Sequence, residues 1–385
     1  MPYPDTLLFL GAGASAPFGV PVMKRMVAEL ETDRMLLTES ERSTLTQLSS
    51  VLKELYGEDY DLEKLLDVVH DLSDAAGIDP TLRALAPRAL YRFRDVMMRT
   101  GGSRDRIISE SDQQFIGSGR RYQELERAIT EQIAKWCYEL EAQKARVAYR
   151  DLLTGLCDSP LTDGLDQRAP TSRLPSGGRE GDIAQVFIAT TNYDEAVEMT
   201  LAALEVTLET GFSLERSRKV LRFNSSSKFD NGQEMSLAKL HGSVNWWRTT
   251  SGDVVRLELG KVGHTLLDGS KLQRREIRYP VATKNLGGLP YASLYTRFAE
   301  ALQAARVWLV IGYSFGDPSI VQLFEELWTS EKRLYILGPN SRGPAKRQLP
   351  AKLRDNAFYV DFKFGDNGVI DALKRAEPFD QTHRV

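Results

Sequence analysis

Four strand-sized apolar runs limit what this chain can fold into: "TLLFL" from Thr6, "VFIAT" from Val186, "VWLVI" from Val307 and "RLYIL" from Arg333. None alternates cleanly between apolar and polar residues, so each reads as a strand buried on both faces. Helical patterns follow them, as in "EAVEMTLAALE" and "PSIVQLFEELWTS". Buried strands alternating with helices predict an α/β fold, a Rossmann-like parallel sheet flanked by helices.

The strands also end alike. They run into Gly11-Ala12-Gly13-Ala14-Ser15, into Thr190-Thr191-Asn192-Tyr193-Asp194, into Gly312-Tyr313-Ser314-Phe315-Gly316-Asp317, and into Gly338-Pro339-Asn340. Gly, Asn, Asp and Ser are ordinary turn residues, which accounts for each ending separately. It does not account for all of them together. In an open parallel sheet, ligands bind outside the carboxyl ends of the strands, and convergence of such endings on one rim points to a site. The first ending leaves the backbone nearly bare. Its N–H groups can approach a phosphate, and the helix beyond adds its positive end, although the same glycines also suit a tight turn without a ligand. His241, in "KLHGSVNWW", is one of four histidines. An isolated histidine is more often a packed core residue, but beside Asn192, Asp194 and a phosphate-sized turn it reads as a general base.

Between these halves the pattern is helical. "LTQLSSVLKELYG", "DLEKLLDVVHDL", "LRALAPRALYRFRDVMM" and the long stretch at 121–153 carry apolar residues at three-to-four spacing. The expected organisation is a first Rossmann part at 1–35, a helical insertion at 36–157, a flexible loop at 158–182 rich in Pro, Gly and Ser, and the remaining Rossmann part at 183–385. "SLAKLHGSVNWW" begins a strand-and-loop segment that ends near Pro280.

With 385 residues, 42% hydrophobic and 27% charged, the composition is that of a soluble globular protein. A net charge of -3 argues against a general nucleic-acid coat. No apolar run approaches the ~20 residues of a membrane span, and no basic-then-apolar leader opens the chain, so a cytoplasmic location is expected. Cys137 and Cys157 are the only cysteines, which excludes a disulfide framework and a four-cysteine zinc site.

The ordered set GAGAS…FGVP, TTNYD, LHG and GYSFGD resembles the sirtuin-like NAD-binding fold, whose signatures read GAGxS…GIP, TQNxD, HG and GTS. "KLHGSVNWW" and "LVIGYSFGDPSI" are similar to the bacterial sirtuin-like domains of anti-phage defence systems. The resemblance covers the first thirty residues and most of 183–376, but not the helical insertion. It implies that Gly11, Ala12, Gly13 and Ser15 wrap the NAD pyrophosphate, and that Asn192 holds the nicotinamide ribose and the attacking water. It further implies that Asp194 contacts the nicotinamide carboxamide beside Thr191, that His241 is the general base, that Gly312 and Ser314 meet phosphate and ribose, and that Asn340 binds the adenosine ribose.

The departures from sirtuins are informative. Val22-Met23-Lys24 stands where deacylating sirtuins carry Asp-Phe-Arg, Thr191 replaces the Gln of TQN, and the zinc cysteines are missing. These changes remove the protein-substrate side and keep the dinucleotide side. The expectation is therefore hydrolysis of NAD to nicotinamide and ADP-ribose, without zinc, as the NAD-depleting effector of a defence system. Alternatives are a sensor that binds NAD or ADP-ribose without turnover, and deacylation or ADP-ribosyl transfer. The resemblance also implies a separate regulatory subunit, a HerA-type ATPase first and an Argonaute-like protein second. Homo-oligomerisation through the apolar-striped helix at 121–153 is a further expectation. Direct nucleic-acid binding is not expected, since Arg120-Arg121 and Arg274-Arg275 read as solvated surface. Trp246 and Trp247 have rings that can stack on a base or the nicotinamide, but one of the two reads as packing under the loop, and "DYDLEKLLD" reads as a helix start with acidic residues facing the dipole.

Overall fold

The computed structural model describes residues 4–33, 35–57, 60–75, 119–158, 161, 173–175, 182–214, 220–224, 235–257, 266, 269–277 and 288–376. The helix expected at "LRALAPRALYRFRDVMM", the connection before residue 119 and most of the 158–182 loop lie outside these residues. Within that loop, β2 (Arg173–Pro175) pairs antiparallel with β3 (Asp182–Ala184).

The chain divides into two compact units. One comprises Met1–Val20, Cys137–Arg278 and Asn285–Val385, and the other Pro21–Trp136 and Tyr279–Lys284. In the second unit, α2 (Met23–Thr32), α3 (Glu39–Tyr56) and α4 (Leu62–Ala75) pack together. Thr38 starts α3 with a reciprocal capping box to Glu41, which satisfies two amides the first turn would otherwise leave unpaired. The buried side chains of this unit, among them Leu30, Leu45, Leu52, Leu65, Val69 and Ile129, recur at the helical spacing seen in the sequence.

The first unit holds a seven-stranded parallel sheet in the order β14-β13-β12-β1-β4-β8-β5. These strands are β1 (Thr6–Leu10), β4 (Phe187–Thr190), β5 (Leu208–Glu209), β8 (Met235–Lys239), β12 (Val307–Ile311), β13 (Arg333–Leu337) and β14 (Ala357–Val360). Setting aside the two-residue edge strand β5, the order is that of the doubly wound dinucleotide sheet, with β1 and β12 meeting at the switch point. β1 and β12 are buried along their whole length, as parallel strands covered on both faces must be. On one face α8 (Tyr291–Ala304) and α9 (Pro318–Leu327) bring Phe298 and Phe324 against Phe9 and Trp308. α7 (Ala196–Ala203) follows β4.

The stretch at 121–153, expected as one helix, forms two: α5 (Gly119–Tyr138) and α6 (Ala142–Asp158). The break has a long-range cause, because the Glu141 amide donates to the Phe18 carbonyl (2.8 Å) and so leaves the helical ladder. The apolar stripe of these helices, including Leu125, Ile133, Tyr149 and Leu152, is buried within the chain.

The strand-and-loop segment is a second sheet, antiparallel, in the order β11-β9-β10-β7-β6. It comprises β6 (Phe212–Leu214), β7 (Val220–Phe223), β9 (Gly242–Thr249), β10 (Val254–Leu257) and β11 (Leu272–Ile277).

At the switch point the two central strand ends interlock. Gly11 donates its amide to the Ile311 carbonyl (2.9 Å), and Gly13 donates to that of Gly312 (2.8 Å). A Cβ on Gly11 would lie 2.6 Å from Tyr313 Cα, and one on Gly13 would lie 2.8 Å from Gly312 Cα. Gly312 has φ +63°, and a Cβ there would meet the Ala14 nitrogen at 2.3 Å. The expected outcome for Gly312→Ala is therefore a loss of about 3 kcal/mol or more, from left-handed backbone strain plus overpacking. Gly316→Ala is the control, since its nearest contact is Ser314 Oγ at 3.6 Å. Urea denaturation of the two variants makes the comparison, and equal midpoints would contradict the interlock.

Candidate functional site

The rim is assembled from the carboxyl ends of β1, β4, β8 and β12. Beyond β1, Gly11 leads into the short helix α1 (Ala12–Ser15). Beyond β4, the Thr191 amide donates to the Leu10 carbonyl (3.1 Å), which sets the Asn192-Tyr193-Asp194 segment against the glycine turn. Three candidate residues then bond directly. Asn192 Nδ2 donates to the Gly11 carbonyl (2.9 Å) and to Ser15 Oγ (3.0 Å), and Ser15 Oγ donates to Asp194 Oδ2 (2.7 Å). Asp194 Oδ1 in turn accepts the Ala196 amide (3.0 Å) at the first turn of α7. All three side chains are buried.

His241 lies two residues beyond β8, the strand next to β4 in register Thr190↔Lys239. Its imidazole is 2% exposed, and its Nε2 lies 3.2 Å from Asp317 Oδ2, itself 3% exposed. A carboxylate accepts, so this bond places a proton on Nε2 and makes Nδ1 the acceptor nitrogen. The other oxygen of Asp317, Oδ1, accepts from the Ser319 amide (3.0 Å) and hydroxyl (2.6 Å) and so caps α9. Gly242, after the histidine, has φ +84°, and a Cβ there would sit 2.1 Å from the Glu276 carbonyl oxygen. Only glycine fits the chain at that corner.

Beneath the rim lies a charged cluster. Lys239, 2% exposed, donates to the carbonyls of Tyr193 (3.5 Å) and Asp194 and pairs with Glu198 Oε1 (3.0 Å). Asn245 Nδ2 donates to Glu195 Oε1. Burial first, then the Glu198 charge, pushes the Glu195 carboxyl up to about 7 against the pull of Lys239. Burial also pushes the Cys137 thiol well up, with the Asp194 charge adding to it. Cys137 and Cys157 are both buried thiols.

Sequence reasoning and structure meet unevenly here. Ser15, Asn192 and Asp194 come together, with His241 on the neighbouring strand end and Thr191 buried beside them. Gly11, Gly13 and Gly312 are needed for the interlock in any case, and Ala12 is half-buried on the same turn. Ser314 is exposed beyond β12. Asn340, exposed and at φ +55°, sits beyond β13 with its amide on Asp361 Oδ1 (3.0 Å). Lys239, Glu195, Glu198 and Asn245 went unassigned, and Asp317 was seen only as part of an ending. Trp246 is buried against Phe212, and Trp247 carries the Arg275 guanidinium 4.6 Å over its ring. A cavity of about 520 Å³ opens on the antiparallel sheet, lined by Arg222, Arg248, Arg274 and Leu289 among others, and two of those arginines are already paired, with Asp253 and Glu276.

A doubly wound parallel sheet with a buried histidine–carboxylate pair and a Ser–Asn–Asp network at its carboxyl rim defines an α/β protein of the dinucleotide-sheet type. Residues 186–359 match the family model described as "SIR2-like domain". A solved complex of a Sir2 homologue with NAD is 14% identical with TM-score 0.40, covering 97% of this chain and 89% of that one. A Sir2 structure bound to acetylated peptide is 12% identical with TM-score 0.36, covering 96% and 90%. No curated protein matches.

Removing Lys239 strands Glu198 and the Asp194 carbonyl in the interior, while the Tyr193 carbonyl keeps the Val244 amide and the Ser243 hydroxyl. Lys239→Met is expected to cost about 3–5 kcal/mol, the usual consequence of leaving one member of a buried ion pair. Adding Glu198→Leu should recover part of that loss. A double-mutant cycle on chemical denaturation measures it, and strict additivity would contradict the pairing.

Proposed function

We propose that this rim binds NAD and hydrolyses it to nicotinamide and ADP-ribose. The observation that carries the reading is the placement of Asn192 and His241 beyond adjacent strands, the histidine oriented by buried Asp317. The SIR2-like match over 186–359 supports the same class of ligand.

Cleaving the bond between C1′ of the ribose and the nicotinamide nitrogen builds positive charge on the sugar. Nicotinamide leaves with the bonding electron pair, so the protein needs orientation and a base more than a strong nucleophile. Water adds at C1′, and His241 Nδ1 takes its proton while Asp317 steadies the resulting imidazolium. Asn192 positions the ribose and water. It is itself locked by the Gly11 carbonyl and Ser15, and a locked carboxamide is what positioning requires. The bonds of Asp194 to Ser15 and Ala196 make it the anchor of that arrangement. The interlocked β1 and β12 turns, with Ser314 and Asn340 farther along the rim, would take the pyrophosphate and adenosine ends. The absence of the sirtuin zinc cysteines and of Asp-Phe-Arg after Gly19-Val20-Pro21 favours water over an acyl-lysine acceptor.

In this reading the protein depletes NAD as the effector of an anti-phage system, cytoplasmic, homo-oligomeric, and held in check by a HerA-type ATPase or an Argonaute-like subunit. Incubating the protein with NAD, alone and with the product of its neighbouring gene, separates the alternatives. Free ADP-ribose and nicotinamide support hydrolysis, a labelled macromolecule means transfer, and binding without product means sensing. His241→Ala and Asn192→Ala are each expected to lower kcat at least ~100-fold while NAD still binds. Asp317→Asn, which keeps the helix cap, should cost roughly 10–100-fold. Undiminished turnover in His241→Ala would remove the base assignment.

A further inference from the structure

Glu195 and Asn245 each carry a buried polar atom left over from the one bond between them. Asn245 Nδ2 donates to Glu195 Oε1, yet Glu195 Oε2 and Asn245 Oδ1 are both buried without a hydrogen-bond partner among the described residues. Each residue is nearly inaccessible, at 6% and 3% exposure. With an ionised carboxylate, two acceptors are orphaned on two side chains already joined through their other atoms. An unmade bond of that kind costs about 1–3 kcal/mol per group. A single proton removes both defects. A carboxylic acid and a primary amide pair head to head, the amide N–H donating to one acid oxygen and the acid O–H donating to the amide oxygen.

We propose that Glu195 is held as a protonated acid in mildly acidic solution, paired through both oxygens with Asn245, and that it serves as a positioning residue for the Asn192–Asp194 turn. The surrounding charges argue the same way. Asp194 precedes Glu195 in the chain, and Glu198 lies one turn along α7. Against these acids stand Lys239 from β8, already paired with Glu198, and Arg256 from β10. Cys137, at the end of α5, has its thiol pushed up by burial, while Arg275 from β11 pulls it down only weakly. Tyr149 of α6 is pushed up by burial and by the Asp194 and Glu198 charges, so it stays neutral and adds no charge to the cluster. One lysine inside cannot neutralise three carboxylates, and protonation of Glu195 leaves two.

The pairing ties β9 to the segment that carries the site. Val244, next to Asn245, donates its amide to the Tyr193 carbonyl (3.1 Å), and Ser243 Oγ donates to the same carbonyl (3.1 Å). Ionising Glu195 would put a second acceptor against Asn245 Oδ1 at this junction and push the turn away from β9.

The sign of the pH dependence follows. The carboxyl is raised in the folded protein from 4.5 to about 7. Its contribution to stability is fully present below 4.5 and is lost as pH rises through 7. Glu195→Gln replaces the acid with an amide that can make both bonds at any pH. The melting temperature of E195Q relative to wild type should therefore rise by about 3 °C between pH 5 and pH 7.5 and then level off. Glu195→Ala should be less stable than E195Q at every pH.

Infrared spectroscopy of wild-type protein carrying carboxyl-¹³C glutamate supplies a second readout that needs no variant. A protonated-acid carbonyl stretch at pH 6 that fades as pH rises through about 7 supports the proposal. Its absence at pH 6, or a flat difference in melting temperature between E195Q and wild type, overturns it. The inference deepens the reading of this rim as an NAD site, but neither measurement uses NAD, so it can fail or stand separately from that reading. If hydrolysis is confirmed, E195Q should also flatten the decline of kcat above pH 7 while leaving KM unchanged.

Discussion

Two backbones crossing without side chains between them set the geometry of this site. β1 and β12 are neighbours in the sheet but belong to its two halves, and their exits are packed so closely that Gly11, Gly13 and Gly312 have no room for a methyl group. Any larger residue would force the two strand ends apart, and with them the Ser15 hydroxyl that Asn192 and Asp194 share. The glycines therefore serve packing first. Their value to a phosphate lies in the same property, a backbone reachable from outside because nothing projects from it.

Beneath this crossing, charge does the work that apolar packing does elsewhere. Lys239 lies in the interior with its ammonium on two successive carbonyls of the Tyr193–Asp194 turn and on Glu198. A buried ammonium without partners would lose its proton or its place. Here its partners come from β4's exit and from α7, so the ion pair fixes the angle at which the strand passes into the helix. The same lysine pulls on Glu195 as well, but burial and the Glu198 charge outweigh it and raise that carboxyl to about 7.

The sequence made some of this visible for physical reasons. Strands buried on both faces must be apolar throughout, so "TLLFL" and "VWLVI" stood out, and the polar residues after them marked the rim. The antiparallel sheet was harder. β11, "LQRREI", carries two arginines and a glutamate within six residues, and its arginine alignment with β9 shifts register twice, so no simple alternation survives. Lys239 hid inside the apolar run "SLAKL", where a lone lysine looks like a strand end rather than a buried charge. Its signal is the acidic spacing of Asp194 and Glu195 just before α7 and of Glu198 on it, which needs a cation. The break between α5 and α6 had no local marker, since it depends on the Phe18 carbonyl far back in the chain.

The bond between His241 and Asp317 joins the exits of β8 and β12, which stand three places apart with β1 and β4 between them. Strands are spaced about 4.8 Å apart, so the two exits begin roughly 14 Å from each other. Asp317 is six residues beyond Ile311 and can span that distance, and capping α9 fixes where its carboxylate stops. The histidine is thereby oriented by the half of the sheet that does not carry it. His241 and Asn192 answer to different strands, yet both are referred to the one crossing of β1 and β12. In the proposed reading these two groups act on one bond, and the rigidity of the sheet holds them in place while the loops between them need only be long enough to reach.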